Sequence, residues 1–169
     1  IRGTANALGR PSFGFKVKPQ HLAAVGMPID KFADQLHSYG WKIVHLYRND
    51  VFRHSLSAGV AAGGGGYHHR AGKKLRTVCV DLEKLKQQME SRLWIAHRMF
   101  SDLSHLPVLH LQYEENLTSA NKWQDTVNLI SSHVGIAQHT PSSDLLKCIP
   151  DTWQSRVQNA QEIEKFLSS

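Results

Sequence analysis

Short apolar segments that alternate with amphipathic segments constrain this chain more than any other feature of its sequence. The apolar segments cover residues 11–17, 41–47, 75–81 and 106–113, and each has the length of a β-strand. Nearly continuous apolar runs of this length, such as 41–47, are typical of parallel strands covered on both faces. The alternation predicts an α/β fold with three layers, α/β/α, and a mainly parallel sheet.

The segments between these strands carry apolar residues at spacings of three and four, which predicts amphipathic helices. Helices are expected between Asp30 as N-cap and Gly40, from Asp50 to about Ala62, before Gly135, and at the end of the chain. The strongest pattern comprises Leu82, Leu85, Met89, Leu93, Ala96, Phe100 and Leu103.

The chain of 169 residues suits one domain with one core. Its most unusual segment is "AGGGGYHHRAGKK" at 62–74, where four consecutive glycines precede a basic cluster. Because glycine maximises chain entropy and nothing apolar anchors the segment, we predict a mobile loop.

Composition excludes several classes of protein. The content of 41% hydrophobic and 20% charged residues excludes intrinsic disorder. No apolar run approaches the roughly 20 residues that span a bilayer. With no secretory signal visible either, a cytoplasmic location is expected. The net charge of +6 favours an anionic partner: a nucleotide, a nucleic acid, or a sulfated or phosphorylated substrate.

The stretch "VHLYRNDVFRHSLSAG" at 44–59 places Arg48 where an apolar strand ends and a helix begins. Ligands of open α/β sheets bind at the carboxyl ends of strands, and a helix N-terminus there favours phosphate. Arg48 and the hydroxyl of Ser57 are therefore candidate phosphate ligands. Alternatively, Arg48 forms a salt bridge with Asp50, and Ser57 is an ordinary helix residue. The spacing supports both interpretations equally.

Two other groups of residues invite a chemical interpretation. Glu114 and Glu115 could be an acid/base pair, although a structural role in the turn after a strand fits them better. The histidines, 11 in all, show no metal-ligand spacing with a nearby acid, and no metal is expected.

The run "WKIVHLYRNDVFRHSLSAGVAA" resembles the segment of sulfotransferases that binds the 3′-phosphate of their nucleotide. In that family a strand ends in Arg, an Asn or Asp follows, and a Ser comes eight or nine residues later. "VLHLQYEENL" at 108–117 is similar to the family's "YEDL" strand and turn. "LLKCIPDTWQSRVQNAQEIEKFL" at 145–167 resembles its C-terminal tail, with the pattern Ile/Val-x-Asn-x-x-Glu-Ile. The strand in "FGFKVKPQHL" at 13–22 also resembles one in bacterial members.

The resemblance implies a P-loop-like α/β fold and the transfer of a sulfuryl group. The donor would be 3′-phosphoadenosine 5′-phosphosulfate (PAPS), and the second partner would be an acceptor with a hydroxyl or amine. Membrane and nucleic acid are not expected as partners. Arg48 and Ser57 would hold the 3′-phosphate, and the glycine-rich loop would fold over donor or acceptor. Further candidates are the loop cations Arg70, Lys73 and Lys74 for the nucleotide, and Lys16, Lys18 and His21 for catalysis.

One part of the family pattern is missing. A sulfotransferase opens with a strand and a Lys/Arg-Ser-Gly-Thr/Ser loop that grips the 5′-phosphosulfate, and these 169 residues contain no such stretch. The loop at 62–74 does not replace it, because a Walker-type sequence would need Gly at position 67 and Ser or Thr at position 74, where the chain has Tyr67 and Lys74. The chain is thus expected to match the C-terminal two-thirds of the fold and could be an inactive fragment of the enzyme. The alternative function is a non-catalytic domain that binds anions or nucleic acid; a nucleotide kinase ranks third.

Overall fold

Helices dominate the computed structural model, which describes residues 13–65, 69–70, 76–143, 145–146 and 152–168. The helices are α1 (Pro19–Ala23), α2 (Ile29–Ser38), α3 (Val51–Val60), α4 (Leu82–Leu103), α5 (Tyr113–Asn116), α6 (Trp123–Val134) and α7 (Ala160–Leu167). A π-helical turn (Ala61–Gly65) extends α3, and 3₁₀ turns span Ala120–Lys122 and Trp153–Arg156. The strands are β1 (Ile43–Tyr47), β2 (His69–Arg70), β3 (Val108–Gln112) and β4 (Leu145–Leu146).

The described strands form two small sheets. β1 and β3 make a two-stranded parallel sheet. β2 and β4 pair in antiparallel fashion, with His69 opposite Leu146 and Arg70 opposite Leu145. The α/β class expected from the sequence is confirmed at this level, and so are the strands predicted around 41–47 and 106–113. The described residues contain no larger parallel sheet, so the three-layer arrangement is not seen among them.

Two predicted strands are wrong over their described parts. Residues 13–17 form no strand and join no sheet. Their alternating Phe13 and Phe15 pack instead against Trp41, with ring centroids 6.3 and 5.1 Å from it. In the segment 75–81, the only ladder contact among the described residues is a parallel bridge between Val78 and Val157.

The helices agree better with the sequence patterns. The predicted long helix is α4, and Gly135, with φ of 74°, ends α6 in the left-handed region that favours glycine. The proposed cap of the second helix is wrong, because α2 begins at Ile29 and Asp30 lies inside its first turn. Of the predicted loop 62–74, the residues up to Gly65 form the π-helical turn, and 66–68 and 71–75 lie outside the described residues. The predicted mobility of the loop stays a prediction.

The chain divides into two compact units. The first comprises Ile1–Leu46, Arg98–Leu111 and Glu115–Thr140, and the second comprises Tyr47–His97, Gln112–Glu114 and Pro141–Ser169. The second unit contains a hydrophobic cluster that joins α3, α4, α7 and the segment around Val78. Its buried members are Leu56, Val60, Val78, Val80, Leu85, Trp153, Val157 and Ile163.

Asn159 connects the C-terminal segment to this cluster through its side chain. Its Oδ1 accepts a hydrogen bond from the Val80 backbone N–H at 2.9 Å, and its Nδ2 donates to the Val80 carbonyl at 2.8 Å. The amide group therefore pairs with both backbone groups of Val80, as the backbone of a neighbouring strand would. This gives a structural role to the asparagine in the pattern Val157-x-Asn159-x-x-Glu162-Ile163.

We expect Asn159→Ala to lower the free energy of unfolding by about 2 kcal/mol, because it leaves both backbone groups of the buried Val80 without partners. Urea denaturation measures the change, and Gln158→Ala, at the exposed neighbouring position, is the matched control. Equal stability of the two variants would contradict this role.

Candidate anion-binding site

The carboxyl ends of β1 and β3 lie at the same edge of the small parallel sheet. Their last residues, Tyr47 and Gln112, approach each other with the tyrosine O–H donating to Oε1 at 3.5 Å. The residues that follow also meet, because the Arg48 Cζ lies 3.6 Å from the centroid of the Tyr113 ring. Parallel pairing thus brings together two residues that follow these strands and are far apart in sequence.

The guanidinium N–H groups of Arg48 remain available as hydrogen-bond donors in this position. The attraction between the guanidinium and the face of the Tyr113 ring needs none of the five guanidinium N–H bonds as hydrogen-bond donors. Among the described residues, no hydrogen bond or ion pair reaches the guanidinium. In particular, the alternative pairing with Asp50 is not present in this part of the chain. The Asp50 carboxylate instead contacts Arg53, accepting from its backbone N–H at 2.8 Å and lying 3.3 Å from its Nε.

A second arginine faces the same corner from α4. Arg92 Nη1 lies 2.8 Å from Nε2 of His54, which is on the first turn of α3. A guanidinium can only donate, so His54 Nε2 accepts and the ring proton of a neutral His54 is on Nδ1. Burial, together with the charges of Arg92 and Arg48, lowers the pKa of His54 to about 4, while the charge of Glu114 acts in the opposite direction. His54 is therefore neutral at pH 7 and offers its Nδ1–H as a donor.

The charge of Arg92 is poorly compensated. The part of the chain that the structure describes supplies no carboxylate partner for its guanidinium, and the buried Nε has no hydrogen-bond acceptor. Burial lowers the pKa of Arg92, and the charge of Arg48 lowers it further. Two guanidinium groups thus repel each other at a corner where one of them is partly removed from water.

Glu114 adds a carboxylate to this corner. Its Oε2 accepts from the backbone N–H of Asn49 at 3.1 Å, and its Oε1 accepts from that of Asp50 at 3.3 Å. These groups lie in the turn that leads into α3. Glu114 and Glu115 lie in the helical turn α5, so the structural role in a turn describes Glu114 better than an acid/base pair does.

Ser57 lies on α3, one turn beyond His54. The spacing of three residues places both side chains on the same face of the helix. No hydrogen bond joins Ser57 to Arg48, and both residues are described by the structure. Its predicted role as a phosphate ligand stays a prediction, as does that of Arg48.

The remaining candidate residues are elsewhere or cannot be described. Lys16 and Lys18 are exposed in the segment before α1, in the first unit, and His21 in α1 is exposed as well. The His21 Nδ1 accepts from the backbone N–H of Lys18 at 3.5 Å. Arg70 belongs to β2, but its side chain is outside the description, and Lys73 and Lys74 lie outside the described residues.

Sequence analysis missed Arg92, although a signal for it exists. Arg92 follows Met89 by three residues and Leu85 by seven, and therefore lies on the apolar stripe of α4. The apolar periodicity predicted Leu93 at this place, but Leu93 is 47% exposed, while Arg92 is half-buried. A charged residue at a stripe position is expensive to bury and points to a site.

The first unit contains a close pair of histidines. His45 Nδ1 and His110 Nδ1 are 3.0 Å apart, so one ring donates and the other accepts. Burial, together with the nearby His110, lowers the pKa of His45 to about 4. The described residues include no group of three or more His, Cys, Asp or Glu that could hold a metal ion.

Comparison of the chain with models of protein families, with curated proteins and with solved structures finds no match. None of the helices in the described segments has the length and apolar character needed to cross a bilayer.

The lowered pKa values predict how stability depends on pH. An unfolded histidine takes up a proton near pH 6.5, whereas folded His45 and His54 do so near pH 4. Between these values the unfolded chain binds more protons, so the free energy of unfolding should fall as the pH falls from about 6.5 to 4. Urea denaturation across this range measures the effect, and His54→Gln, which keeps an acceptor for Arg92, should weaken it. NMR titration midpoints near 6.5 for both rings would contradict the prediction.

Proposed function

We propose that the corner formed by Arg48, His54 and Arg92 binds a phosphate group. The observation that carries this proposal is the half-buried guanidinium of Arg92, with its buried Nε unpaired and with no carboxylate partner among the described residues. Arg48 adds a second cation whose N–H groups lack acceptors in the same part of the chain. Neutral His54 adds one further donor.

The electrostatics of the corner favour a bound oxyanion. Removing a cation from water costs several kcal/mol unless an anion with matching hydrogen bonds compensates it. Here a second guanidinium raises this cost. A phosphate would bind and neutralise both guanidinium groups. Arginine binds phosphate through two parallel N–H···O bonds, which a lysine cannot do.

For the ligand and the reaction, we propose a sulfotransferase. The phosphate would be the 3′-phosphate of PAPS, held by Arg48 and Ser57 as the resemblance implies, with Arg92 and His54 added from the geometry. The sulfuryl group would pass to a hydroxyl or amine acceptor. This proposal is supported by the order of the matching segments and by the meeting of two of them, "LYRND" and "QYEEN", at one corner.

A non-catalytic anion-binding domain is the second candidate. It is favoured by the lack of a Lys/Arg-Ser-Gly-Thr/Ser loop in the 169 residues, since phosphate binding at Arg48 and Arg92 does not require that loop. The two candidates differ in what they bind. A sulfotransferase site should prefer adenosine 3′,5′-bisphosphate to inorganic phosphate, whereas a general anion site should bind both according to charge.

We expect Arg48→Ala to weaken binding of adenosine 3′,5′-bisphosphate by about 10- to 100-fold, because a hydrogen-bonded charge is worth roughly 1.5–3 kcal/mol. Arg48→Lys should restore part of the affinity. Calorimetry with this nucleotide and with adenosine 5′-monophosphate, which lacks the 3′-phosphate, measures the effect. Arg53→Ala is the control, because Arg53 is the next arginine along the chain, lies in the first turn of α3 and pairs with Asp50. Equal losses for both nucleotides would show that Arg48 does not contact the 3′-phosphate.

The variant Arg92→Met should distinguish a role of Arg92 in ligand binding from a role in the stability of the fold. We expect at least a tenfold loss of affinity, with the free energy of unfolding unchanged or higher, because an apolar side chain of similar length removes an uncompensated cation. Calorimetry and urea denaturation provide the two measurements. The control is Arg98→Met on the same helix, where the arginine already pairs with Asp102 at 3.1 Å. A stability loss with unchanged affinity would assign Arg92 a purely structural role.

A further inference from the structure

Helix α4 carries another buried polar atom without a partner, one helical turn before Arg92. Gln88 is partly buried, and its Oε1 is removed from water and has no hydrogen-bond partner among the described residues. Residues four apart lie on the same face of a helix, with their Cβ atoms about 5–6 Å apart. The unpaired Oε1 of Gln88 and the unpaired Nε of Arg92 are therefore neighbours on one face of α4.

The two atoms need opposite kinds of hydrogen-bond partner. The Nε–H of Arg92 is a donor, whereas the Oε1 of Gln88 is an acceptor. A direct hydrogen bond between the two side chains would satisfy both atoms, but the structure does not contain it. Because a buried carbonyl without a donor costs free energy, a ligand group that donates to Gln88 would be bound favourably.

A phosphate alone supplies only one of the two partners. A phosphomonoester has a second pKa of about 6 and is mainly a dianion at pH 7.5, so its terminal oxygens only accept hydrogen bonds. Such a phosphate accepts from Arg92 but has no donor for the Oε1 of Gln88. The donor for Gln88 must therefore belong to the part of the ligand that is bonded to the phosphate.

We propose that Gln88 recognises a hydroxyl group next to the bound phosphate, so that the site selects 3′-ribonucleotides over their 2′-deoxy analogues. The inference rests on the proposed phosphate-binding function. In a 3′-ribonucleotide, the 2′-hydroxyl is on the carbon next to the one that carries the phosphate, and it can donate to a carbonyl oxygen. The phosphate accepts from Arg92, and the hydroxyl donates to Gln88 one turn earlier on the helix.

Gln88→Met tests this inference, with Gln87→Met as the matched control at the exposed neighbouring position. The probes are adenosine 3′-monophosphate and 2′-deoxyadenosine 3′-monophosphate, which have the same base and charge, titrated by calorimetry at pH 7.5. We expect the wild-type chain to prefer the ribonucleotide about fivefold, because one hydrogen bond changes a binding constant by roughly two- to tenfold. The preference should fall below twofold in Gln88→Met and stay at the wild-type value in Gln87→Met.

The Gln88→Met variant should fold as well as the wild-type chain. Methionine has a similar length and forms helices readily, and the substitution removes a buried carbonyl that lacks a donor. The free energy of unfolding without ligand, measured by urea denaturation, should therefore be unchanged or higher.

Several results would overturn the inference. A preference that persists in Gln88→Met would come from the conformation of the sugar and not from Gln88. Equal weakening of both probes in Gln88→Met would mean that Gln88 contacts the phosphate itself, through its NH₂ group. Equal binding of both probes by the wild-type chain would show that Gln88 does not recognise the hydroxyl. In each of these cases the phosphate site would stand, whereas failure of the wild-type chain to bind either probe would refute that site as well.

A measurement on the wild-type chain decides the question if Gln88→Met does not fold. The side-chain carbonyl carbon of Gln88 should shift downfield in NMR spectra on saturation with adenosine 3′-monophosphate, because its oxygen gains a donor. With the 2′-deoxy analogue, the same signal should stay near its position in the free chain. Equal shifts with both nucleotides would contradict recognition of the hydroxyl.

Discussion

A guanidinium that is half-buried with a neutral histidine as its acceptor is the constraint on which the account of this protein depends. Arg92 donates to His54 at 2.8 Å, and its buried Nε has no acceptor. The desolvation of a cation costs several kcal/mol when no anion compensates it. A chain tolerates such a cost where a ligand later supplies the missing charge. The nearby charge of Arg48 makes the need for an anion greater.

The fold positions these groups through two independent sets of contacts. Parallel pairing of β1 and β3 brings Arg48 over the Tyr113 ring and places Glu114 against the start of α3. Packing of α3 and α4 in the cluster that contains Leu56 and Leu85 fixes the helices that carry His54 and Arg92. The side chains that would meet a phosphate are thus held by a sheet edge and by a packed helix pair. Tyr113 restrains the guanidinium of Arg48 while leaving its N–H groups for a ligand.

The sequence predicted the parts of this arrangement that depend on local patterns. The strand at 41–47, the helix after Asp50 and the long helix α4 follow from apolar periodicity, and all three are present. The predicted strand at 11–17 failed over its described part because Phe13 and Phe15 pack against Trp41, a contact that alternation alone does not reveal. Arg92 was missed because only tertiary packing decides whether Arg92 or Leu93 faces inward. The position of Arg48 was predictable, whereas its contact with Tyr113 depends on the register of two strands that are distant in sequence.

The Nε–H of Arg92 offers the most direct measurement of the central claim. Its proton and nitrogen resonances can be followed by NMR while adenosine 3′,5′-bisphosphate is titrated into the chain. If a phosphate supplies the missing acceptor, the Arg92 Nε–H signal should shift downfield and saturate, and its exchange with water should slow. A signal that stays at its starting position while the nucleotide binds, or a chain that binds no nucleotide and no phosphate, would contradict the account.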